Sequence, residues 1–416
     1  MRVAFRQGAA ETFLTLGFVF AAGALLAVSN PSPDANYSVA AYASASRLTI
    51  LVGPLLALWA GYRVARLKTF IRQKNSPRPQ VLVWLDAIWQ VALLGPLAGV
   101  AGMVASTRAF SLDRWTWSIL LVTFLVLVAA ALAGAVLTFL IPAPIALPLS
   151  AISLYVWLAF PTSGGNVLLR HANGSFASCC TIDQRPSSAM LWASSTFALT
   201  VILGFALALG WGPRRLVAAA VAVGGMGLGL ALSSQVMHAI DSSPGLVAAE
   251  PRTSSTVCQT DGPVKLCVWP EHTPHLEVAL RTLRTAETQL ASKNVPGVIP
   301  RFSERQRPGY ATVQVADGAR PSDYVVSYVQ GLLPDPQYCA GNTDPNLDVY
   351  ALYDRALVWL ALTGGLDRED AKAQFEPGVV TDIIRRLDAD TDRANSRWIV
   401  SAMRQLRVAC QAAGHG

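Results

Sequence analysis

Seven apolar stretches fill the first 240 residues, near 12–29, 48–62, 80–105, 117–139, 145–160, 191–211 and 216–236. A hydrocarbon core of about 30 Å takes roughly 17–25 helical residues to cross, so the second and fifth stretches reach across only with interfacial residues. Backbone groups in lipid find no water, so each span is predicted to be a helix. Charge is unevenly divided. Of the 33 Lys/Arg and 26 Asp/Glu, residues 1–240 hold 15 and 5, leaving 18 and 21 for residues 241–416. The +7 net charge therefore reflects basic loops beside apolar spans and gives no sign of nucleic-acid binding. The expected fold is an α-helical membrane bundle of about seven spans over 1–240. A mixed α+β, mostly helical domain over 241–416 follows it.

Basic residues concentrate on the cytoplasmic side of a membrane protein. With the N-terminus inside, the inner segments hold Arg2, Arg6, Arg63, Arg66, Lys68, Arg72, Lys74, Arg78, Arg214 and Arg215. The outer loops hold Arg47, Arg108, Arg114, Arg170 and Arg185. An odd number of spans then puts 241–416 outside a bacterial plasma membrane. A second reading of the first span, as a cleaved signal peptide ending at Ala27-Val28-Ser29, leaves that orientation unchanged.

All six cysteines (Cys179, Cys180, Cys258, Cys267, Cys339 and Cys410) fall on the predicted outer side, the compartment in which disulfides persist. Thr256-Val257-Cys258 and Lys265-Leu266-Cys267 flank the turn dipeptide Asp261-Gly262, so a β-hairpin stapled by Cys258–Cys267 is expected. Cys339–Cys410 is the preferred second bridge among the 15 pairings that six cysteines allow. Cys179 and Cys180 are open to three fates: pairing together, remaining free, or tying their loop elsewhere. Helices are predicted from Thr273-Pro274, from Asp344-Pro345 to Gly364-Gly365, and near 378–388 and 394–411. The stretch 310–332 reads as β-like.

G-x-x-x-x-G-K-[ST], H-E-x-x-H and G-x-S-x-G are all absent, which removes a P-loop and the strongest protease and esterase signatures. Glu271, His272 and His275 read either as polar residues at a helix entry or as part of a metal site that lacks an evident third ligand. Asp86 lies about 9 Å inside the third span at helical rise; it is either interfacial or lumen-facing. Gly225 and Gly229, four apart in the seventh span, suit close helix packing within the bundle or across a homodimer. Residues 62–72 can form a short amphipathic helix, with Val64, Leu67, Phe70 and Ile71 opposite Arg63, Arg66 and Lys68. Two roles fit it: an anchor on anionic lipid headgroups, or a docking element for a cytoplasmic partner.

The span order resembles the membrane half of ABC-2-type exporters, with Met1–Glu11 as the N-terminal interfacial element, 63–74 as the coupling helix and 161–190 as the outer segment. Leu51-Val52-Gly53-Pro54-Leu55-Leu56-Ala57-Leu58-Trp59-Ala60-Gly61-Tyr62-Arg63 and Cys267-Val268-Trp269-Pro270-Glu271-His272 are similar to segments of a group of uncharacterised actinobacterial multi-pass proteins, often encoded beside ABC ATPase subunits. The resemblance implies a permease-like exporter subunit without enzymatic activity or cofactor of its own. It would work as a homodimer with a separate ATPase contacting Arg63, Arg66, Lys68 and Phe70. Two rivals are a membrane-anchored extracytoplasmic binding or sensor protein, and a membrane-bound hydrolase using Glu271 and His272.

Overall fold

The computed structural model describes residues 2–28, 39–73, 88–106, 114–161, 167–174, 180, 184–210, 214–240, 249–253, 255–305, 307–315, 319–334, 348–389 and 391–411. The chain forms two compact units, Met1–Arg252 and Thr253–Gly416. The first unit thus ends at Arg252, beyond the linker expected at 241–245. The physical reason is a strand pair: β1 (Gln184–Pro186) and β2 (Ala249–Pro251) run antiparallel, and Arg185 Nε donates to Glu250 Oε1 at 2.7 Å. This pair ties the segment after the last apolar helix back to the bundle.

In chain order the helices of the first unit are α1 (Arg2–Val28), α2 (Val39–Gln73), α3 (Gly95–Ala105), α4 (Arg114–Leu140), α5 (Ala143–Ala159), α6 (Val167–Ala172), α7 (Ser188–Gly210) and α8 (Arg215–Ile240). A π-helical turn over Gln90–Leu94 leads into α3. Among the described residues five helices are long and apolar enough to cross a membrane: α1, α2, α4, α7 and α8. Gln90–Ala105 and Ala143–Ala159 are apolar but shorter. The chain is on this composition a membrane protein.

Packing order follows from how much of each helix is apolar on every side. In α4, 78% of the most apolar window is buried, against 22% in α1 and in α8. Accordingly α4 is central and packs on α2, α5 and α7. α8 lies along α7, and α1 along α3. The outward faces of the peripheral helices carry Phe13, Leu14, Phe18, Leu216, Val223 and Leu228, large apolar side chains suited to lipid. Glycine permits the tightest crossings. A Cβ on Gly134 of α4 would collide with the carbonyl oxygen of Ala57 in α2.

One difference from the expected arrangement concerns 62–72. These residues form no separate short helix. They are the continuation of α2, which runs unbroken for 35 residues, with Pro54 inside it. Nothing in 62–72 breaks a helix, since Gly and Pro are absent from it.

The second unit contains a four-stranded sheet, β3 (Val257–Asp261), β4 (Val264–Val268), β5 (Arg301–Ser303) and β6 (Ala311–Thr312), hydrogen-bonded in that order. β3 and β4 are antiparallel, with Cys258 opposite Cys267; the two are joined as a disulfide. Gly262 takes φ +59° and Pro263 fixes its own φ near about −65°, the signs of a II′ hairpin turn. β5 lies parallel to β4. The connection between them runs through a 3-10 turn (Pro270–His275) and α9 (Leu276–Ser292).

Val264, Leu266 and Val268 alternate along β4 and are all buried. Leu276, Leu280, Leu283 and Leu290 form the buried stripe of α9, so the period of 2 meets the period of 3.6 in one core. Further helices are α10 (Pro321–Leu332), α11 (Val349–Thr363), α12 (Arg368–Gln374), α13 (Pro377–Ala389) and α14 (Asp392–Gln411).

The second difference is α10, part of the stretch read as β-like. Its buried residues Tyr324, Val325, Tyr328, Val329 and Leu332 follow a helical period. Asp323 Oδ2 accepts the Arg320 amide at 2.8 Å, the N3 half of a capping box. Asp344-Pro345 lies outside the described residues; α11 is capped by Asp348, whose Oδ1 accepts the Ala351 amide at 3.0 Å.

Tyr328 stacks edge-on against Phe302 at 4.7 Å between ring centroids. Burial, reinforced by the nearby Glu287 carboxylate, pushes its phenol well above the ordinary value. The raised group contributes stability in full below the unfolded phenol pKa of about 10 and loses it as pH rises from there toward the folded value. Hydrogen exchange on the full chain is expected to show the core of the second unit loosening by up to about 1.4 kcal/mol per pH unit above about pH 10. Tyr328→Phe is expected to flatten that slope, and an unchanged slope would show that another group controls it.

Candidate functional site

The first unit contains a half-open cavity of about 620 Å³ between α4, α5, α7 and α8. Small residues create it. Ala129, Ala130 and Ala133 of α4 face Ala198 of α7 and Ala219 and Ala222 of α8, so helices held apart by larger neighbours leave a hollow. Trp157 and Phe197, with ring centroids 6.0 Å apart, also line it.

The short helix α6 bounds one end through Ala172 and Asn173. Asn173 Nδ2 donates to the Leu158 and Trp157 carbonyls at 3.0 and 3.3 Å, serving the C-terminal turn of α5. Ser194 Oγ donates to the His171 carbonyl at 2.9 Å and fastens α6 to α7. Gly174 ends the turn with φ +76°.

Among the described residues the lining side chains are apolar but for the Trp157 indole N–H and three others, Ser150, Ser153 and Asn173. Each of these three donates to a backbone carbonyl: Ser150 to Leu147 at 2.8 Å, Ser153 to Ser150 at 3.3 Å, and Asn173 as above. Their hydrogens are engaged locally, so a sugar or peptide brought inside would meet few acceptors and regain only a small part of its hydration. Val223 and Met226 line the cavity and are exposed, as is Ser153. The mouth therefore opens sideways, between α5 and α8.

At the other end of the bundle, three predicted coupling residues make contacts within the first unit. Arg63 Nη1 donates to Gln90 Oε1 of the π turn at 2.7 Å and its guanidinium lies over Trp59. Arg66 is exposed and reaches Glu11 of α1 at 3.4 Å. Lys68 Nζ donates to the Thr138 and Phe139 carbonyls at 2.6 and 2.8 Å, closing the last turn of α4. The Phe70 side chain and Asp86 lie outside the described residues. Gly225 and Gly229 both face α7: a Cβ on Gly225 would stand 2.8 Å from the Gly204 Cα, and one on Gly229 3.2 Å from the Phe197 ring.

Residues 266–410 match a family model described as a domain of unknown function (DUF7224). The matched segment lies wholly within the second unit and is similar to that domain from β4 to the last turn of α14. No curated protein and no solved structure is significantly similar to the chain.

In the matched segment His272 is fully buried, which corrects its expected place at a surface helix entry. The cause is Glu304, at the end of β5. Glu304 Oε1 accepts from His272 Nδ1 at 2.8 Å and from the Val315 amide at 2.8 Å, and Oε2 accepts from the Trp269 amide at 2.7 Å. A carboxylate only accepts, so His272 carries its hydrogen on Nδ1. Glu271 and His275 are only partly buried. Among the described residues no three His, Cys, Asp or Glu side chains gather to hold a metal.

Cys180 and Cys410 are disulfide-bonded. Cys179 and Cys339 lie outside the described residues.

Sequence reasoning did not find the cavity or Glu304. A cavity is the space between four helices, and no single stretch carries its signal. The Asn173-Gly174 pair, a polar residue followed by one suited to positive φ, was the nearest available sign.

Proposed function

We propose that the chain is the permease-like membrane subunit of an ABC-type exporter, with a separate ATPase on the cytoplasmic side. In this reading seven helices cross a bacterial plasma membrane, the N-terminus is inside and the second unit is outside. The sideways-open apolar cavity carries the reading, because a bundle that only anchors a domain has no need of a chamber. The basic end of α2 is the point of coupling. Lys68 joins α2 to the end of α4, and α4 forms one wall of the cavity. A push delivered at Arg66 would therefore travel along an unbroken helix and displace that wall. Substrate would leave by alternating access, from the side or toward the outer face.

The test is mild detergent purification from the native host, with mass spectrometry of what accompanies the chain. The expected result is an ATP-binding subunit whose ATPase activity rises in the complex and whose recovery falls sharply with Arg66→Glu. Recovery of outer-face proteins alone, or an ATPase bound equally well by Arg66→Glu, would contradict it.

One observation favours a second reading, an extracytoplasmic binding or sensor module anchored by the bundle. The second unit is compact by itself, and the family match lies entirely inside it. That reading predicts a ligand or protein partner held by Thr253–Gly416 in a full-length chain that recruits no ATPase.

A further inference from the structure

We infer that the cavity between α5 and α8 receives an acyl chain of an anionic phospholipid from the surrounding bilayer, with Arg214 and Arg215 meeting its phosphate. The inference rests on the reading of the first unit as a membrane bundle with a working chamber, and it adds the chemistry of what enters.

Along α8 the lining runs from Ala219 to Leu230, which is about 16 Å at helical rise. An extended hydrocarbon chain of that length fits a hollow whose walls are apolar and whose mouth opens at the side of the bundle. The walls agree: apart from Ser150, Ser153, Asn173 and the indole N–H of Trp157 they are apolar, so a polar occupant would give up its hydration for few partners.

Position decides the headgroup. Residues 215, 219, 222, 226 and 230 are spaced i, i+4, i+7, i+11 and i+15, and so share one face of α8. The last four line the cavity. Arg215 stands one turn, about 6 Å, beyond its end, beside Arg214, and both arginines are exposed. Leu140, the last residue of α4, lines the same end. A chain that enters with its glycerol at this end places its phosphate beside the two guanidinium groups. Arginine pairs with phosphate through two parallel hydrogen bonds.

The experiment uses the full-length protein in phosphatidylcholine nanodiscs. One arm carries a trace of phosphatidylglycerol with a photoactivatable group in its acyl chain, and the other carries phosphatidylcholine labelled in the same way. Adducts are mapped by mass spectrometry after illumination. Phosphatidylglycerol adducts are expected to concentrate on residues 126–137 and 219–230, well above those on the exposed Phe13, Leu14 and Phe18 of α1. Met226→Trp, at the mouth, is expected to remove the cavity adducts and spare those on α1. Ala222→Trp repeats the test from inside.

Arg214→Glu with Arg215→Glu is expected to cut the phosphatidylglycerol adducts in the cavity by about tenfold or more without changing the phosphatidylcholine arm. Adducts spread over the cavity and α1 alike, or indifferent to Met226→Trp, would overturn the acyl-chain site. Equal labelling in the two arms, unmoved by the arginine changes, would overturn the headgroup assignment. The readout involves neither ATPase nor transport. A missing ATPase partner would therefore sink the exporter reading alone, and evenly spread adducts would sink this one alone.

Discussion

Glu304→Ala is expected to destabilise the second unit by on the order of 3 kcal/mol or more, because a buried acceptor that serves three donors is removed. The carboxylate is 1% exposed and takes hydrogen bonds from three separate places in the chain: the Trp269 amide after β4, the His272 ring in the 3-10 turn and the Val315 amide after β6. Its own backbone amide donates to the Cys267 carbonyl at 3.0 Å. Truncation leaves three buried donors without an acceptor, each costing about 1–3 kcal/mol before relaxation. Hydrogen exchange on the full-length chain checks this at the Trp269 and Val315 amides, which should lose protection together. Glu304→Gln should cost less, because the amide oxygen still accepts from one side. A loss below about 1 kcal/mol for Glu304→Ala would show that water or a shifted side chain takes over the carboxylate's part.

Gly134→Ala is expected to be strongly damaging to the first unit. The new Cβ would meet the Ala57 carbonyl oxygen, a backbone atom that moves only if α2 and α4 separate. Overpacking against movable side chains costs about 1–3 kcal/mol, and a backbone obstacle raises the cost above that range. Gly227→Ala is the matched control, with nothing within 4 Å of its added Cβ. Size-exclusion chromatography in detergent after stepwise heating should show Gly134→Ala leaving the monodisperse peak at a lower temperature than the parent chain, and Gly227→Ala leaving with the parent. Equal behaviour of the two variants would mean that the α2–α4 crossing is looser than its geometry indicates.

These two sites mark where the sequence could be read and where it could not. Apolar runs and turn residues are local signals, and the five long apolar helices, the two shorter ones and the Cys258–Cys267 hairpin follow from them directly. Gly225 and Gly229 are legible because a small-residue spacing of four lies within one helix. Gly134 is as tightly packed, but its partner is the backbone carbonyl of Ala57 on another helix, so no spacing announces it. His272 was misplaced for the same reason. Its neighbours Pro270, Thr273 and Pro274 describe a helix entry, and burial is imposed by Glu304, 32 residues later. The Tyr324, Tyr328 and Leu332 stripe was present in the sequence, and the β-branched Val325, Val326 and Val329 obscured it. These residues favour strands on propensity, and packing onto the sheet and α9 made them helical.

Sidedness is the most direct measurement, because the exporter reading needs the end of α2 to face the ATPase and the second unit to face away from it. Single cysteines replacing Ser292 in the second unit and Arg66 at the end of α2, both exposed, can be probed on intact cells with a membrane-impermeant maleimide. Position 292 should label at once from outside, and position 66 only after the membrane is opened. Labelling of position 66 on intact cells, with position 292 protected, would place the second unit with the cytoplasm and remove the basis for an exporter.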